Sequence, residues 1–230
     1  MKNKINKIII FALVTAGIFI FLNMGVTTQQ GVNYKYQSIR MPLYGKLLDF
    51  FDRYYNYREI TKRITTGANS DEEKMMKIFE WTHNNIRKAP KELPIVDDHV
   101  WYTIVRGYGA VDQSQDVFTT LCNFAGIDAF FSNVYAKDRV RKILFSFVRT
   151  KKKWHVLDAY RGVYFKDNQG KFADIEDKNR CLVISLGDKP DIDYSPYLEN
   201  LPTIREIGLN RANIQSPVKR LLYEIKKRMR

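Results

Sequence analysis

Thiols and imidazoles, the groups a cysteine-nucleophile chemistry needs, are few in this 230-residue chain: two cysteines, Cys122 and Cys181, and three histidines, His83, His99 and His155. A thiol attacks well only as the thiolate, which a nearby base or a helix N-terminus must stabilise. Cys122 falls inside a helical stretch, away from any helix start, and reads as a buried small hydrophobe. His83, in the run WTHNN, reads as an exposed position on an early helix. Asp97, Asp98 and His99 raise the thought of a metal, but they are consecutive and no second cluster completes a ligand set. A solvated helix cap accounts for them better, and no metal or other cofactor is expected. Among the acids, Asp97 with Asp158 is the only pairing worth weighing for two-carboxylate hydrolysis. No phosphate loop of the Walker type occurs.

The order of segments says more than any single residue. RGYGAVDQSQDVFTTLCNFAGIDAF, Arg106 to Phe130, places a glycine turn before a helix that ends at Gly126-Ile127. KILFSFVRTKKKWHVLDAY, Lys142 to Tyr160, then reads as two strands around a Lys151–Lys153 tip. A cysteine at such a helix start would gain from the helix dipole and its free amides. A histidine on the first strand could serve it as base, and an acid on the second could orient that histidine.

Over about Asp71 to Glu176 this arrangement resembles the transglutaminase-like superfamily, which shares the papain-type Cys-His-Asp set. Gly107, Gly109, Asp112, Gln113, Gly126, Ile127, Trp154 and Asp158 match its bacterial pattern, and GVYFKDNQGKFADIED resembles the segment that follows the aspartate. The departures are informative. The position of the nucleophile falls on Val111, and that of the base falls within Lys142 to Leu144. No histidine lies between His99 and His155, so a shifted alignment cannot supply one. The resemblance therefore implies the scaffold of a triad in which Val111 and Asp158 mark two places and only the acid survives. His155 alternates with Trp154, Val156 and Asp158 along a strand and so points to the other face.

The positioning elements are legible around these residues. Leu43, Leu47, Leu48, Phe51, Tyr54 and Tyr55 give a helical pattern over Pro42 to Thr66. Ser70-Asp-Glu-Glu73 reads as a capping box opening a helix to about Arg87. Pro90 to Pro94 reads as a loop, and Asp97 or Asp98 could cap a short helix to Arg106. A helix from about Val111 to Phe124 follows. Strands are expected over Ile127 to Tyr135, Lys142 to Thr150, Lys153 to Asp158, Arg161 to Phe165 and Cys181 to Leu186. Gly187 to Pro202 reads as an irregular wrap. From Pro217 a basic amphipathic helix, with Val218, Leu221, Leu222, Ile225 and Met229 on one face, could dock on the domain or lie on an anionic membrane.

The N-terminus bears on compartment. Lys2, Lys4 and Lys7 precede an uncharged run from Ile8 that reaches Val26, about 19 residues and near the length of a bilayer-spanning helix. Its flanking lysines would leave the N-terminus in the cytoplasm and the rest outside. A cleaved signal peptide is the rival reading, although the following NMGVTTQQG offers a poor cleavage site. Either reading disfavours nucleic acid as a partner for a chain of net charge +13 and leaves anionic lipid or glycan in its place. Arg139, Arg141, Lys142, Arg149, Lys151, Lys152 and Lys153 form the candidate anion-binding set. Cys122 and Cys181 could be bridged in an oxidising compartment or remain two buried thiols.

The expected organisation is a tail and transmembrane anchor (1–26), a tether (27–41), an α+β transglutaminase-like domain (42–186), and a C-terminal wrap and basic helix (187–230). The expected function is a non-catalytic binding or scaffold protein of the bacterial envelope, in the inner membrane with its domain outside. Context near surface-polysaccharide machinery, an envelope protein partner, or both would suit it. A divergent hydrolase or acyltransferase built around Asp158, with His155, is the alternative.

Overall fold

The apolar run that opens the chain is a helix, α1 (Lys2–Asn23). In the computed structural model, residues 2–32, 35–90, 99–175, 182–188 and 190–204 are described. The segment Lys4–Asn23 is the one helix among them long and apolar enough to cross a bilayer, and none of its residues is buried inside the protein.

The stretch expected to be a tether is instead a β-hairpin. Strand β1 (Gly25–Val32) pairs antiparallel with β2 (Lys35–Pro42), from Gly25 opposite Pro42 to Val32 opposite Lys35. Val26, Thr27 and Thr28 supply β-branched side chains suited to extended backbone. Neither face is apolar, so the alternation that usually betrays a strand is missing. Helix α2 (Leu43–Ile64) follows, and its first amide, Leu43 N–H, donates to Met24 O at the end of α1 at 2.9 Å. The chain forms two compact units that meet in sequence within α2, Met1–Arg53 and Tyr54–Arg230, rather than at Pro42.

The second unit is α+β, as expected. Helix α3 (Asp71–Asn85) starts at Ser70, whose hydroxyl accepts from Glu73 N–H at 3.2 Å. Glu73 reaches back one residue further than in a standard capping box, accepting from Asn69 N–H at 2.7 Å. A short strand β3 (Arg87–Lys88) lies parallel to β4 (Tyr108–Gly109). Between them α4 (Val100–Arg106) is capped by His99, whose Nδ1 accepts from Trp101 N–H at 3.3 Å. The cap is thus one residue beyond the expected Asp97 or Asp98, which lie outside the described residues, as do Cys181 and the expected C-terminal helix.

Helix α5 (Val111–Phe124) runs through the core and ends before Gly126, as its sequence suggests. Five antiparallel strands follow in spatial order: β5 (Ala129–Tyr135), β6 (Lys142–Thr150), β7 (Lys153–Asp158), β8 (Val163–Lys166) and β9 (Leu182–Ser185). The sheet separates two apolar clusters. Val148, Leu157 and Ala159 pack with Met75, Phe79, Phe118 and Leu121 from the helices. Phe145, Phe147, Val156 and Phe165 pack on the other face with Tyr194, Tyr197, Leu198 and Leu201. The expected wrap therefore covers a full sheet face, and it includes a short helix, α6 (Ser195–Leu198).

Candidate functional site

The start of α5 is held from behind. Gly107 closes α4 in the left-handed region at φ 71°, which a residue without Cβ adopts freely. Gly109 is extended but crowded: a Cβ there would come within 3.0 Å of Thr103 Cγ2 and 3.1 Å of Gln113 Cβ. Gln113 Oε1 accepts from Ala110 N–H at 3.0 Å and from Arg106 Nη2 at 2.7 Å, fixing the helix entry. The expectation that these residues build a turn into a helix is met, each with a physical reason.

Val111 is the first residue of α5 and is half-buried. One turn later, on the same helix face, comes Gln115, whose side chain is fully buried. Its amide is the hub of a polar network. Gln115 Nε2 donates to Asp158 Oδ1 at 3.0 Å and to Leu144 O at 3.2 Å. Gln115 Oε1 accepts from the Ser146 hydroxyl at 2.6 Å and from Ala159 N–H at 3.2 Å.

Asp158 is likewise fully buried, at the end of β7. Besides Gln115, it accepts from Arg161 Nη1 at 3.0 Å, Arg161 N–H at 3.2 Å and the Tyr194 hydroxyl at 3.0 Å. Burial and the Asp158 charge push the Tyr194 phenol well above its usual range, so it remains a donor. Burying a carboxylate is costly unless it is paired and hydrogen-bonded, and here four donor groups satisfy that requirement. Gln115, Ser146, Arg161 and Tyr194 were not singled out from sequence. The four-residue step from Val111 to Gln115 and the three-residue step from Asp158 to Arg161 are local signals for two of them. Nothing local points to Tyr194.

The remaining candidates lie elsewhere. His155 is buried on the opposite side of β7 from Asp158. Its Nδ1 lies 3.0 Å from Ala173 O and its Nε2 2.8 Å from the Thr150 hydroxyl. A carbonyl only accepts, so Nδ1 carries the proton and Nε2 accepts from Thr150. Burial lowers the imidazole pKa, partly offset by the Ala173 bond. Cys122 is a buried free thiol whose ionisation burial pushes up, the opposite of an activated nucleophile. No group of three or more metal-ligating side chains occurs among the described residues.

The basic residues do not form one patch. Lys151 and Lys152 sit at the β6–β7 turn with Lys153 just after it, whereas Arg139, Arg141 and Lys142 lie at the other end of β6. That strand has nine residues, so its ends are about 26 Å apart. Arg141 is bound to Asp138 at 2.7 Å, Arg149 to Asp128 at 3.5 Å, Lys151 to Glu72 at 3.0 Å and Lys153 to Asp174 at 3.7 Å. The guanidinium of Arg141, with the amides of Val140 and Arg141, lowers the Asp138 pKa to about 2.

His83 departs from expectation. It is half-buried and lines a cavity of about 430 Å³ with Lys88, Tyr160, Arg161, Asp188 and Asp191. A Cβ on Gly162 would lie 2.7–2.8 Å from the His83 ring, and Gly162 has a φ of 66°. Only glycine suits both the backbone conformation and the approach of the ring. The cavity opens beside the Asp158 network, because Arg161 belongs to both.

Three solved structures are similar to the chain. One, described as a cysteine protease of Cytophaga hutchinsonii, is 16% identical, with a TM-score of 0.41 over 57% of this chain and 47% of that one. Another, described as a protease of Parabacteroides distasonis, is 13% identical, with a TM-score of 0.38 over 60% and 36%. A third, described as a TGase, is 11% identical, with a TM-score of 0.38 over 58% and 43%. The chain thus spans less than half the length of each. No curated protein matches it. Residues 58–170, which include α3, α5 and the strands β5 to β8, match the model of the transglutaminase-like superfamily.

Proposed function

We propose that this protein is a non-catalytic transglutaminase-like binding or scaffold module, held at the outer face of a bacterial cytoplasmic membrane by α1. In this reading Val111 stands at the nucleophile position and Asp158 is the surviving acid. The observation that carries it is the engagement of Asp158 by Gln115, Arg161 and Tyr194, which leaves no histidine among its partners. A catalytic acid orients an imidazole; this one braces a helix, a strand end and the covering segment. A hydrocarbon side chain at Val111 cannot attack a carbonyl, and Cys122 lies about 16 Å further along the helix axis.

The hydrolase alternative would need His155 beside Asp158. Both ring nitrogens of His155 are committed to Thr150 and Ala173 on the other side of the strand, so nothing favours that reading. A role near surface-polysaccharide assembly rests on the family resemblance and the topology, and contact with anionic lipid or glycan through the basic residues rests on their charge. Such contact would involve two separate sites, the Lys151–Lys153 end and the Arg139–Lys142 end.

The test is turnover by the full-length protein in detergent micelles. Amide hydrolysis, ester hydrolysis and transamidation of small glutamine donors should all stay at the uncatalysed rate. The V111C/L144H variant should gain an alkylatable thiol at position 111. Turnover by the unmodified protein, abolished by D158A in a still-folded sample, would overturn the proposal.

A further inference from the structure

We infer that the cavity beside the Asp158 network is a binding site for a small zwitterion, a molecule carrying an ammonium and a carboxylate or phosphate on one short frame. This inference rests on the non-catalytic reading and names its ligand class. The cavity is walled by His83 of α3, Lys88 of β3, Tyr160 and Arg161 after β7, and Asp188, Pro190 and Asp191 after β9. Its volume, about 430 Å³, corresponds to roughly 14 waters, room for a ligand of amino-acid or headgroup size with some solvent.

The charges lining it have opposite signs, and among these lining residues only Arg161 and Asp191 pair with each other. Lys88 Nζ has no carboxylate partner among the described residues and lies over the Tyr160 ring at 5.6 Å. The Asp188 carboxylate has no cation partner among them either; only its backbone oxygen is used, accepting from the Ser185 hydroxyl. Arg161 is anchored by Asp158 on its buried side, whereas its outer partner Asp191 is loose, at 3.7 Å and with an 85% exposed side chain. A ligand anion could therefore displace Asp191 from a guanidinium already held in place. Arg161 lies 5.5 Å from the same Tyr160 ring, so two cations share one aromatic support. A ligand anion meets Lys88 and Arg161, and its ammonium meets Asp188 and the released Asp191. A pure anion would leave two carboxylates facing it, and a pure cation would leave two cations, so the site discriminates against both. The His83 ring, set against Gly162, has no hydrogen-bond partner among the described residues and offers a further polar contact.

Isothermal titration of the full-length protein in micelles, with four probes, tests this. β-Alanine and phosphoethanolamine are zwitterions from two sources, amino acid and lipid headgroup; acetate and methylammonium each carry one charge. At least one zwitterion should bind ten times or more tighter than either single-charge probe, and the preferred zwitterion identifies the source. K88Q and D188N, both at exposed positions, should each weaken that binding at least tenfold with unchanged thermal unfolding. Acetate or methylammonium binding within threefold of the better zwitterion would overturn the inference. So would zwitterion binding indifferent to K88Q and D188N, or no binding by a folded protein. Turnover of an amide would instead sink the non-catalytic reading and leave the zwitterion measurement standing.

Discussion

Gln115 donates its side-chain amide to the buried carboxylate of Asp158, joining α5 to the end of β7 across 43 residues of sequence. The same amide accepts from Ser146 and Ala159, so one neutral side chain satisfies three partners that water cannot reach. Gln115→Ala should therefore cost about 3 kcal/mol, because each orphaned buried polar group costs roughly 1–3 kcal/mol. Gln115→Glu should cost at least as much, since it sets a second carboxylate against the first. Urea denaturation at neutral pH measures both. A loss under about 1 kcal/mol for Q115A would mean that the network is not structural.

The ion pair of Asp158 with Arg161 makes a different prediction. Their side chains are 0% and 21% exposed. Asp158→Ala leaves the guanidinium without its buried partner and should cost about 3–5 kcal/mol. Removing both charges in D158A/R161A should cost clearly less than the two single losses added together, a coupling of about 1–3 kcal/mol. A double-mutant cycle by urea denaturation reads this directly. Additive losses would show that the two side chains do not act as a pair.

Much of this site was legible locally, and the remainder was not, for physical reasons. The α5 boundaries followed from Gly107, Gly109 and Gly126, and the Ser70 cap from its own tetrapeptide. Each of those signals acts within a few residues. Tyr194 and Asp158 meet across 36 residues through the wrap over the sheet, and no sequence period encodes that contact. The hairpin of β1 and β2 escaped notice because it is polar on both faces. The basic residues named as a candidate anion-binding set are close in sequence, but the extended backbone of β6 carries its two ends apart. His83 looked exposed because the helical pattern of α3 says nothing of the Gly162 backbone beneath its ring.

Buried His155 predicts a pH dependence. Its folded-state pKa is lowered, chiefly by burial, while in the unfolded chain it titrates at about 6.5. Below that pH the unfolded chain binds more protons than the folded one, so stability falls as pH falls. Above about pH 6.5 the contribution is fully present. Urea midpoints should drop between pH 7.5 and pH 5.5, and His155→Gln should flatten the slope over that window while lowering stability throughout. An equal slope in both proteins would assign the dependence to other groups.

The turn between β6 and β7 carries the last prediction. Thr150 pairs with Lys153, leaving a two-residue loop in which Lys151 has φ 48° and Lys152 has φ 69°. Tight hairpins favour this left-handed geometry because it matches strand twist, but asparagine and glycine normally supply it. A residue with a Cβ pays roughly 1–2 kcal/mol there. Lys152→Gly should therefore stabilise the fold by about 1 kcal/mol, less the extra entropy that glycine brings to the unfolded chain. Lys151→Asn should gain less, since it gives up the exposed ion pair with Glu72, itself worth little in solvent. If the Lys151–Lys153 end contacts an anionic surface, K151N/K152G should raise the urea midpoint while weakening sedimentation with vesicles containing an acidic lipid. A higher midpoint with unchanged vesicle binding would show that the lysines at this turn are not a binding tip.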